Sequence, residues 1–226
     1  MVFLTCMLKA YLRRPRGCKG SWLLVLGILA VASGNHAWGA LPDLIVNRSR
    51  VAHTVIVEMR NIVRSDCAFV EGCVPQPGRR KLLLFETTLA NIGTGDLVIG
   101  PPTDDPRLFQ YSLCHGHYHT RQTVHWMLTT ENGHVVKRSA KRAFCLTDSE
   151  PYLDSAGPSS GFNCNNQGLT AGWQDVYART LDCQWLDVTG VPKGRYLLKI
   201  TVNPNHRFRE SNYDNNTVTV PVRITK

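Results

Sequence analysis

Three histidines at alternate positions are the residues of this chain best suited to chemistry. Segment 114–119 reads Cys-His-Gly-His-Tyr-His, so three of the eight histidines fall close together. Imidazole nitrogens bind copper, zinc, iron and nickel, and residues at i, i+2 and i+4 of a strand point to one face. The spacing therefore predicts a metal site formed by His115, His117 and His119.

The same spacing restricts the backbone that carries the histidines. Positions four residues apart on a straight strand are separated by about 13 Å, so the three nitrogens reach one ion only if the strand bends. Gly116 is the residue that most easily permits a bend. Three histidines also describe catalytic zinc, and a surface or packing cluster of imidazoles is the alternative without metal. The motif by itself predicts a metal but no particular reaction.

The first 39 residues have the composition of a secretory signal peptide. Basic residues precede an apolar segment at 22–32, and the small residues Ala37 and Gly39 favour cleavage before Ala40. The apolar segment is shorter than the roughly 20 residues of a spanning helix. We therefore expect a secreted, extracellular or periplasmic domain at 40–226 without a stable membrane anchor, and an uncleaved anchor is the alternative.

Removal of the signal peptide changes the charge of the domain. The whole chain has a formal net charge of +9, and its first 39 residues contain five basic residues and no acidic one, so residues 40–226 have a net charge of +4. This domain has no basic stripe interleaved with aromatic residues, which nucleic-acid-binding proteins commonly have. We expect no nucleic-acid partner.

The cysteines predict a domain braced by disulfides. Two of the eight cysteines lie in the signal peptide, and six remain: Cys67, Cys73, Cys114, Cys145, Cys164 and Cys183. An even number of cysteines in an exported chain predicts three disulfides, whose pairing the spacing leaves open. The alternative is zinc bound by thiolates, which favours paired C-x-x-C spacing, and none is present.

Alternation of apolar and polar residues predicts β-strands. A period of two runs through 195–202 and 217–224, and Leu83, Phe85 and Leu89 share one face of a further strand. Turn clusters at 91–96 and 192–194 separate such segments, and no window has a helical stripe. The pattern predicts a mostly β domain of the all-β class, with a β-sandwich core and long irregular loops. The longest of these loops is 151–172.

Five ordered segments resemble those of the lysyl oxidase family. They are CHGHYH at 114–119, KRAFCL at 141–146, DVY at 175–177, DCQWLD at 182–187, and the closing VNP at 202–204 with ESNYDNN at 210–216. The similarity runs through nearly all of residues 40–226. It identifies them as a lysyl-oxidase-like catalytic domain without the propeptide and scavenger-receptor modules of animal members, so collagen or elastin is not implied as substrate.

The resemblance implies a copper-dependent amine oxidase of the protein-lysine 6-oxidase type, with a quinone made from the protein's own side chains. Copper would bind to the three histidines, Tyr177 would be oxidised to a quinone, and the amine of Lys141 would add to its ring to give lysine tyrosylquinone. Only a neutral amine can attack, so the pKa of Lys141 must be lowered or the amine desolvated. Asp175, two residues from Tyr177, is the expected general base.

The implied reaction also defines the partners. Lysine side chains of proteins or small primary amines would be the substrates, together with dioxygen. The products would be an aldehyde, ammonia and hydrogen peroxide. The resemblance further implies the disulfides Cys67–Cys114, Cys73–Cys183 and Cys145–Cys164.

A calcium site is the last feature that the resemblance implies. Animal members bind calcium between the start and the end of the domain, and oxygen donors suit this ion. Asn212 stands where the family often has aspartate, which removes one negative charge. The matching positions here are Asp43, the backbone carbonyl of Leu44, Glu210, Asn212, Asn215 and Asn216.

Two other functions remain open. Without the resemblance, Lys141 would be interpreted as part of a solvated run of basic residues, and Tyr177 as an ordinary strand tyrosine. A non-catalytic metal-binding β-sandwich module needs the histidines but no proximity of Lys141 to Tyr177. A zinc hydrolase needs an acidic general base beside the histidines and no quinone.

Overall fold

A computed structural model describes residues 39–139 and 143–225. The predicted signal peptide, apart from Gly39, and the predicted cofactor residue Lys141 lie outside the described residues. Within the described ranges, no helix has the length and apolar character needed to cross a membrane.

Short antiparallel strands account for most of the regular structure in the described ranges. In chain order they are β1 (Leu44–Val46), β2 (Ile56–Ile62), β3 (Gly78–Leu84), β4 (Thr87–Asn91), β5 (Leu97–Gly100), β6 (Phe109–Ser112), β7 (His117–Arg121), β8 (Val124–Thr129), β9 (Val135–Arg138), β10 (Ala143–Phe144), β11 (Glu150–Pro151), β12 (Gln167–Leu169), β13 (Trp173–Tyr177), β14 (Trp185–Asp187), β15 (Gly194–Val202) and β16 (Thr217–Ile224). Two short helices, α1 (Arg48–Thr54) and α2 (Cys67–Val70), and a 3₁₀ turn at Pro106–Leu108 connect them.

In most of the strand pairings of the described ranges, the two hydrogen-bonded strands are not consecutive in sequence. Two four-stranded sheets have the orders β16-β15-β8-β9 and β1-β4-β13-β11. Three smaller sheets have the orders β14-β3-β2, β10-β7-β6 and β12-β5. Strand β7 lies at the centre of its sheet and contains two of the histidines, and β13 contains Asp175 and Tyr177.

One hydrophobic core unites the larger sheets. Trp126, Leu198 and Ile200 of the sheet around β15 belong to the same buried cluster as Leu44 and Leu89 of the sheet around β4. Sheets that share an apolar interior in this way form a β-sandwich core. The prediction of a mostly β fold with a sandwich core and three disulfides is confirmed.

The three disulfides have the pairing that the family resemblance implied. They join Cys67 to Cys114, Cys73 to Cys183 and Cys145 to Cys164, with Cα atoms 5.8, 5.5 and 5.2 Å apart. The first two flank α2 and attach it to distant parts of the chain. The first of them joins α2 to the residue that precedes the histidine motif.

The apolar segment around β3 was interpreted wrongly. Leu83, Phe85 and Leu89 do not share one face of a single half-buried strand, because β3 ends at Leu84 and β4 begins at Thr87. The two strands belong to different sheets, and Leu84 is as fully buried as Leu83. Residues 82–84 are all buried, so the strand has no polar face at this end. Leu83, Phe85 and Leu89 nevertheless pack into the same hydrophobic cluster.

Helix α1 was not expected from the sequence. It begins after Asn47, whose side-chain oxygen accepts a hydrogen bond from the backbone N–H of Arg50 at 3.2 Å. This is an N-cap interaction. Val51 is the buried residue of the helix. A helix with one buried residue has no apolar stripe in its sequence. The N-cap residue Asn47 was the sequence signal that could have indicated the start of the helix.

Candidate metal and tyrosine site

His117 and His119 lie on β7 with their side chains on the same face. Their Nε2 atoms are 3.0 Å apart. His119 is buried, with 5% of its surface exposed, and His117 is half-buried. Two nitrogens at this separation fit one ion, since each would lie about 2 Å from its centre.

His115 approaches the other two histidines from the turn before β7. Gly116 has a φ of +68°, a left-handed conformation that glycine adopts without strain, and its N–H donates to the carbonyl of Ser112 at 2.9 Å. The chain bends at the residue where a bend was expected. The ring centroids lie 4.9 Å apart for His117 and His119, 5.5 Å for His115 and His119, and 5.8 Å for His115 and His117. Three imidazoles suit copper or zinc. The described groups whose candidate ligand atoms all lie within 4.8 Å of one another include His117 but not these three histidines together, so the nitrogens that already converge are those of His117 and His119.

A carboxylate that we did not single out in the sequence lies beside His115. Oε2 of Glu71 is 3.7 Å from Nε2 of His115. Glu71 follows α2 and lies between Cys67 and Cys73 in sequence. An acidic residue between two disulfide cysteines was the available signal, but spacing alone does not show that its partner is a histidine.

Asp175 and Tyr177 lie two residues apart on β13 and are both buried. They are 3% and 5% exposed, respectively. The carboxylate of Asp175 accepts hydrogen bonds from the N–H of Thr147 at 3.0 Å and the hydroxyl of Ser149 at 2.9 Å. The hydroxyl of Tyr177 donates to the backbone carbonyl of Cys145 at 2.8 Å. The phenol ring is therefore held in a defined orientation.

Burial shifts the ionisation of both groups. It raises the pKa of Asp175 to about 6, although the nearby Tyr177 hydroxyl and the hydrogen bonds from Thr147 and Ser149 favour the carboxylate and oppose the shift. Burial also raises the pKa of Tyr177 well above its ordinary value, and the nearby charge of Asp175 adds to this increase. A carboxyl group with a pKa near neutrality has the acidity expected of a general base.

Phe144 connects the histidine strand to Tyr177. Its ring centroid lies 6.2 Å from that of His119 and 4.8 Å from that of Tyr177. Strand β10 brings Phe144 to this position by pairing with β7, where Phe144 lies opposite Thr120. Phe144 thus packs against both His119 and Tyr177. Lys141 lies outside the described residues, so the structure gives it no position relative to either.

Gln167 is a further residue whose role sequence reasoning missed. This fully buried side chain donates to the carbonyl of Tyr118 at 2.7 Å and accepts from the hydroxyl of Thr120 and from the N–H of Leu146 at 3.0 Å. It thereby ties β7 to the segment after Cys145. Gln167 begins β12, a strand within the segment 151–172 that we expected to be irregular, and a lone glutamine carries no sequence signal for such a contact.

Most of the residues expected to bind calcium meet at one place. Asn215 donates to the carboxylate of Asp43 at 2.8 Å, and Glu210 accepts from the N–H of Leu44 at 2.6 Å and from the side chain of Asn216 at 2.8 Å. Among the described residues, the amide oxygens of Asn215 and Asn216 are buried without a hydrogen-bond partner. Buried acceptors without donors are costly, and a hard cation would satisfy them.

The charges at this place also favour a cation. Burial raises the pKa of Glu210, and the nearby carboxylate of Asp43 contributes to the shift. Asn212 has a different arrangement, since its side-chain oxygen accepts the backbone N–H of Asp214 at 3.0 Å. The donor set therefore fits calcium, with Asn212 engaged in a local turn.

The fold and the site define a class: a disulfide-braced β-sandwich domain with a histidine cluster beside a buried tyrosine. The sequence profile described as lysyl oxidase matches residues 42–226. The chain belongs to the lysyl oxidase family.

Curated relatives agree with this assignment. Lysyl oxidase homolog 2 of Gallus gallus is 35% identical over 186 residues, which cover 78% of this chain and 24% of that protein. The Homo sapiens protein of the same name is 35% identical over 184 residues, which cover 77% of this chain and 23% of the relative. The chain therefore spans about a quarter of the length of these relatives.

The similarity to a solved structure is weak. The CARDB domain of the PF1109 protein from Pyrococcus furiosus is 14% identical, and the similarity covers 82% of this chain and 90% of that one. The TM-score is 0.30, too low to support a conclusion about fold or function.

Proposed function

We propose that this domain is a secreted, copper-dependent amine oxidase that oxidatively deaminates lysine side chains or small primary amines. The observation that carries the proposal is the contact of Phe144 with both His119 and Tyr177, which brings a buried phenol close to a histidine cluster suited to copper. Membership of the lysyl oxidase family supports it. Three disulfides fit an oxidising compartment.

The proposed overall reaction converts a primary amine, dioxygen and water into an aldehyde, ammonia and hydrogen peroxide. Copper and lysine tyrosylquinone, formed from Lys141 and Tyr177, supply an electrophilic carbonyl and a route for two electrons from the amine to dioxygen. The chain's own residues supply binding, orientation and proton transfer. His115, His117 and His119 hold the metal in this proposal.

The surroundings of Tyr177 suit a ring that must stay in one orientation. The hydrogen bond to the carbonyl of Cys145 fixes the phenol oxygen, and the ring of Phe144 packs at 4.8 Å. Asp175 supplies a carboxylate on the same strand, two residues from Tyr177. We assign to Asp175 the removal of the α-proton of the bound amine, because its raised pKa matches that task.

A redox-cycling quinone stain of purified, copper-loaded protein tests this function. Staining of the reduced and denatured polypeptide is the expected result, since the cofactor is part of the chain. A non-catalytic metal-binding module would bind copper without staining, and a zinc hydrolase would not stain either.

The catalytic rate should fall as the pH drops through about 6. Protonated Asp175 cannot accept the α-proton, and the pKa of this residue is about 6. We expect kcat/KM of the wild-type protein to show an acidic limb near that pH. Asp175→Asn should lose at least about 10²-fold in kcat/KM at pH 7.5, the usual size of a general-base contribution.

The stability of the same two proteins provides an independent check. The pKa of Asp175 is raised from 3.8 to about 6 in the folded state, so the neutral carboxyl stabilises the fold below pH 3.8, and this contribution is lost as the pH rises through 6. The difference between these two pKa values corresponds to about 3 kcal/mol in the free energy of unfolding. Thermal unfolding should show that, from pH 4 to pH 7, the free energy of unfolding decreases more for the wild type than for Asp175→Asn. An equal loss in both proteins would contradict the assigned ionisation.

Calcium should raise the stability of the domain. At a free concentration about 100 times the dissociation constant, a single site stabilises the fold by about 3 kcal/mol. We expect the midpoint of thermal unfolding to rise with added calcium in the wild type and to remain constant in Glu210→Gln, which removes a buried carboxylate of the site. Differential scanning calorimetry measures both.

Asp214→Asn is the matched control for the calcium experiment. Asp214 is exposed and lies close in sequence to the donor residues. Its replacement by asparagine removes one negative charge, as Glu210→Gln does. This variant should respond to calcium as the wild type does. A wild-type midpoint that does not respond to calcium would rule out the site.

A further inference from the structure

Glu71 is fixed beside the histidine motif by covalent bonds as well as by packing. It follows α2 directly, and the disulfides Cys67–Cys114 and Cys73–Cys183 flank it in sequence. The first disulfide attaches α2 to the residue that precedes His115. Any displacement of this short helix would therefore move Glu71 and the histidine turn together.

The carboxylate of Glu71 contacts His115 in two ways. Its Oε2 lies 3.7 Å from Nε2 of His115. Its Oε1 accepts a hydrogen bond from the hydroxyl of Ser112, and the oxygen of that hydroxyl accepts the backbone N–H of His115 at 3.1 Å. The carboxylate thus reaches the imidazole directly and the backbone of the same residue through Ser112.

The Glu71 carboxylate is largely buried and therefore depends on its neighbours for compensation. Its side chain is only 13% exposed, and a carboxylate removed from water needs a compensating charge or hydrogen bonds. Histidines that bind metals commonly donate their other ring N–H to a carboxylate, which fixes the ring and increases the basicity of the ligand. The ring nitrogen of His115 that faces Glu71 is Nε2, which would leave Nδ1 to bind an ion.

We propose that Glu71 is a positioning residue of the copper centre and acts through His115. Its carboxylate orients the imidazole and compensates the charge of the ion, while Ser112 holds the carboxylate. This inference rests on the proposed function, because it requires that the histidines bind copper. It adds to that function a residue outside the histidine motif on which copper affinity depends.

The test measures copper binding, independently of amine oxidation. The dissociation constant is obtained by competition with a chelator, and the electron paramagnetic resonance spectrum of the copper(II) protein reports the geometry of the ligands. Glu71→Gln should weaken copper binding by about 10- to 100-fold and alter the copper hyperfine splitting. Ser112→Ala should change both quantities in the same direction but less, because the carboxylate remains.

Glu58→Gln is the matched control. Glu58 is a partly exposed carboxylate on β2 that pairs with Arg60 at 3.0 Å, so its replacement removes the same charge from a different part of the domain. It should leave copper affinity and the spectrum unchanged. Disulfide mapping and circular dichroism establish that each variant is folded, and Ser112→Ala provides the test if Glu71→Gln does not fold.

The outcomes separate this inference from the proposed function. A wild-type protein that binds copper, with Glu71→Gln and Ser112→Ala indistinguishable from it in affinity and spectrum, overturns the role of Glu71 alone. A wild-type protein that binds no copper overturns both. A general loss of affinity that also occurs in Glu58→Gln would show a nonspecific charge effect and would likewise overturn the role of Glu71.

Discussion

Replacement of Lys141 by alanine should abolish peroxide release from amine substrates without changing the copper content of the protein. The lysine amine forms the bond that turns an oxidised Tyr177 into the proposed cofactor, so no other residue can complete it. When catalytic residues act as a unit, removal of one lowers the rate by several orders of magnitude. We therefore expect the rate of peroxide release to fall by at least about 10³-fold. A coupled peroxide assay and elemental analysis measure the two quantities.

Lys137→Ala is the control for this replacement. Lys137 lies on β9 in the same basic segment, paired opposite Leu128. A general effect of removing one positive charge near the site would appear in both variants, whereas loss of the cofactor appears only in Lys141→Ala. If Lys141→Ala still oxidised amines at a comparable rate, this cofactor would be ruled out.

Replacement of His117 by alanine should remove copper and the quinone together. His117 supplies one of the two nitrogens that lie 3.0 Å apart, and without it the remaining imidazoles are too few to retain the ion. Formation of the quinone from Tyr177 requires the metal, so both the copper content and the quinone stain should fall to background. Activity should fall by at least about 10³-fold as a consequence.

His134→Ala controls for the loss of an imidazole. His134 is exposed between β8 and β9, and its hydrogen bonds to Thr130 involve backbone atoms of the histidine. This variant should keep copper, stain and activity. Full copper occupancy in His117→Ala would instead place the metal elsewhere in the protein.

Some elements were readable from the sequence because their environment is simple. Strands β15 and β16 follow the expected alternation, with Tyr196, Leu198, Ile200 and Val202 buried on one face of β15. Each strand has one covered and one exposed face, so a period of two appears directly. The bend at Gly116 was predictable for a similar reason, since three histidines on a straight strand lie too far apart for one ion.

Other features depend on contacts between distant parts of the chain. Residues 82–84 of β3 are all buried, so the pattern could not show where the strand ends. The contact between Glu71 and His115 depends on two disulfides whose pairing came from family resemblance and not from cysteine spacing. The raised pKa of Asp175 results from burial beneath neighbouring strands. Sequence patterns report local periodicity, and these properties arise from tertiary packing.

The most direct test of the central claim is mass spectrometry of copper-loaded, aerated protein after reduction and tryptic digestion. Trypsin does not cleave after a modified lysine, and no lysine or arginine lies between positions 143 and 178. We predict that residues 139–142 are recovered joined to residues 143–179. The joined mass should equal that of the two peptides plus one oxygen atom minus four hydrogen atoms for the quinone, or minus two hydrogen atoms for its reduced form. Copper-replete protein in which 143–179 is recovered only as an unmodified peptide would contradict the account and favour a non-catalytic metal-binding module.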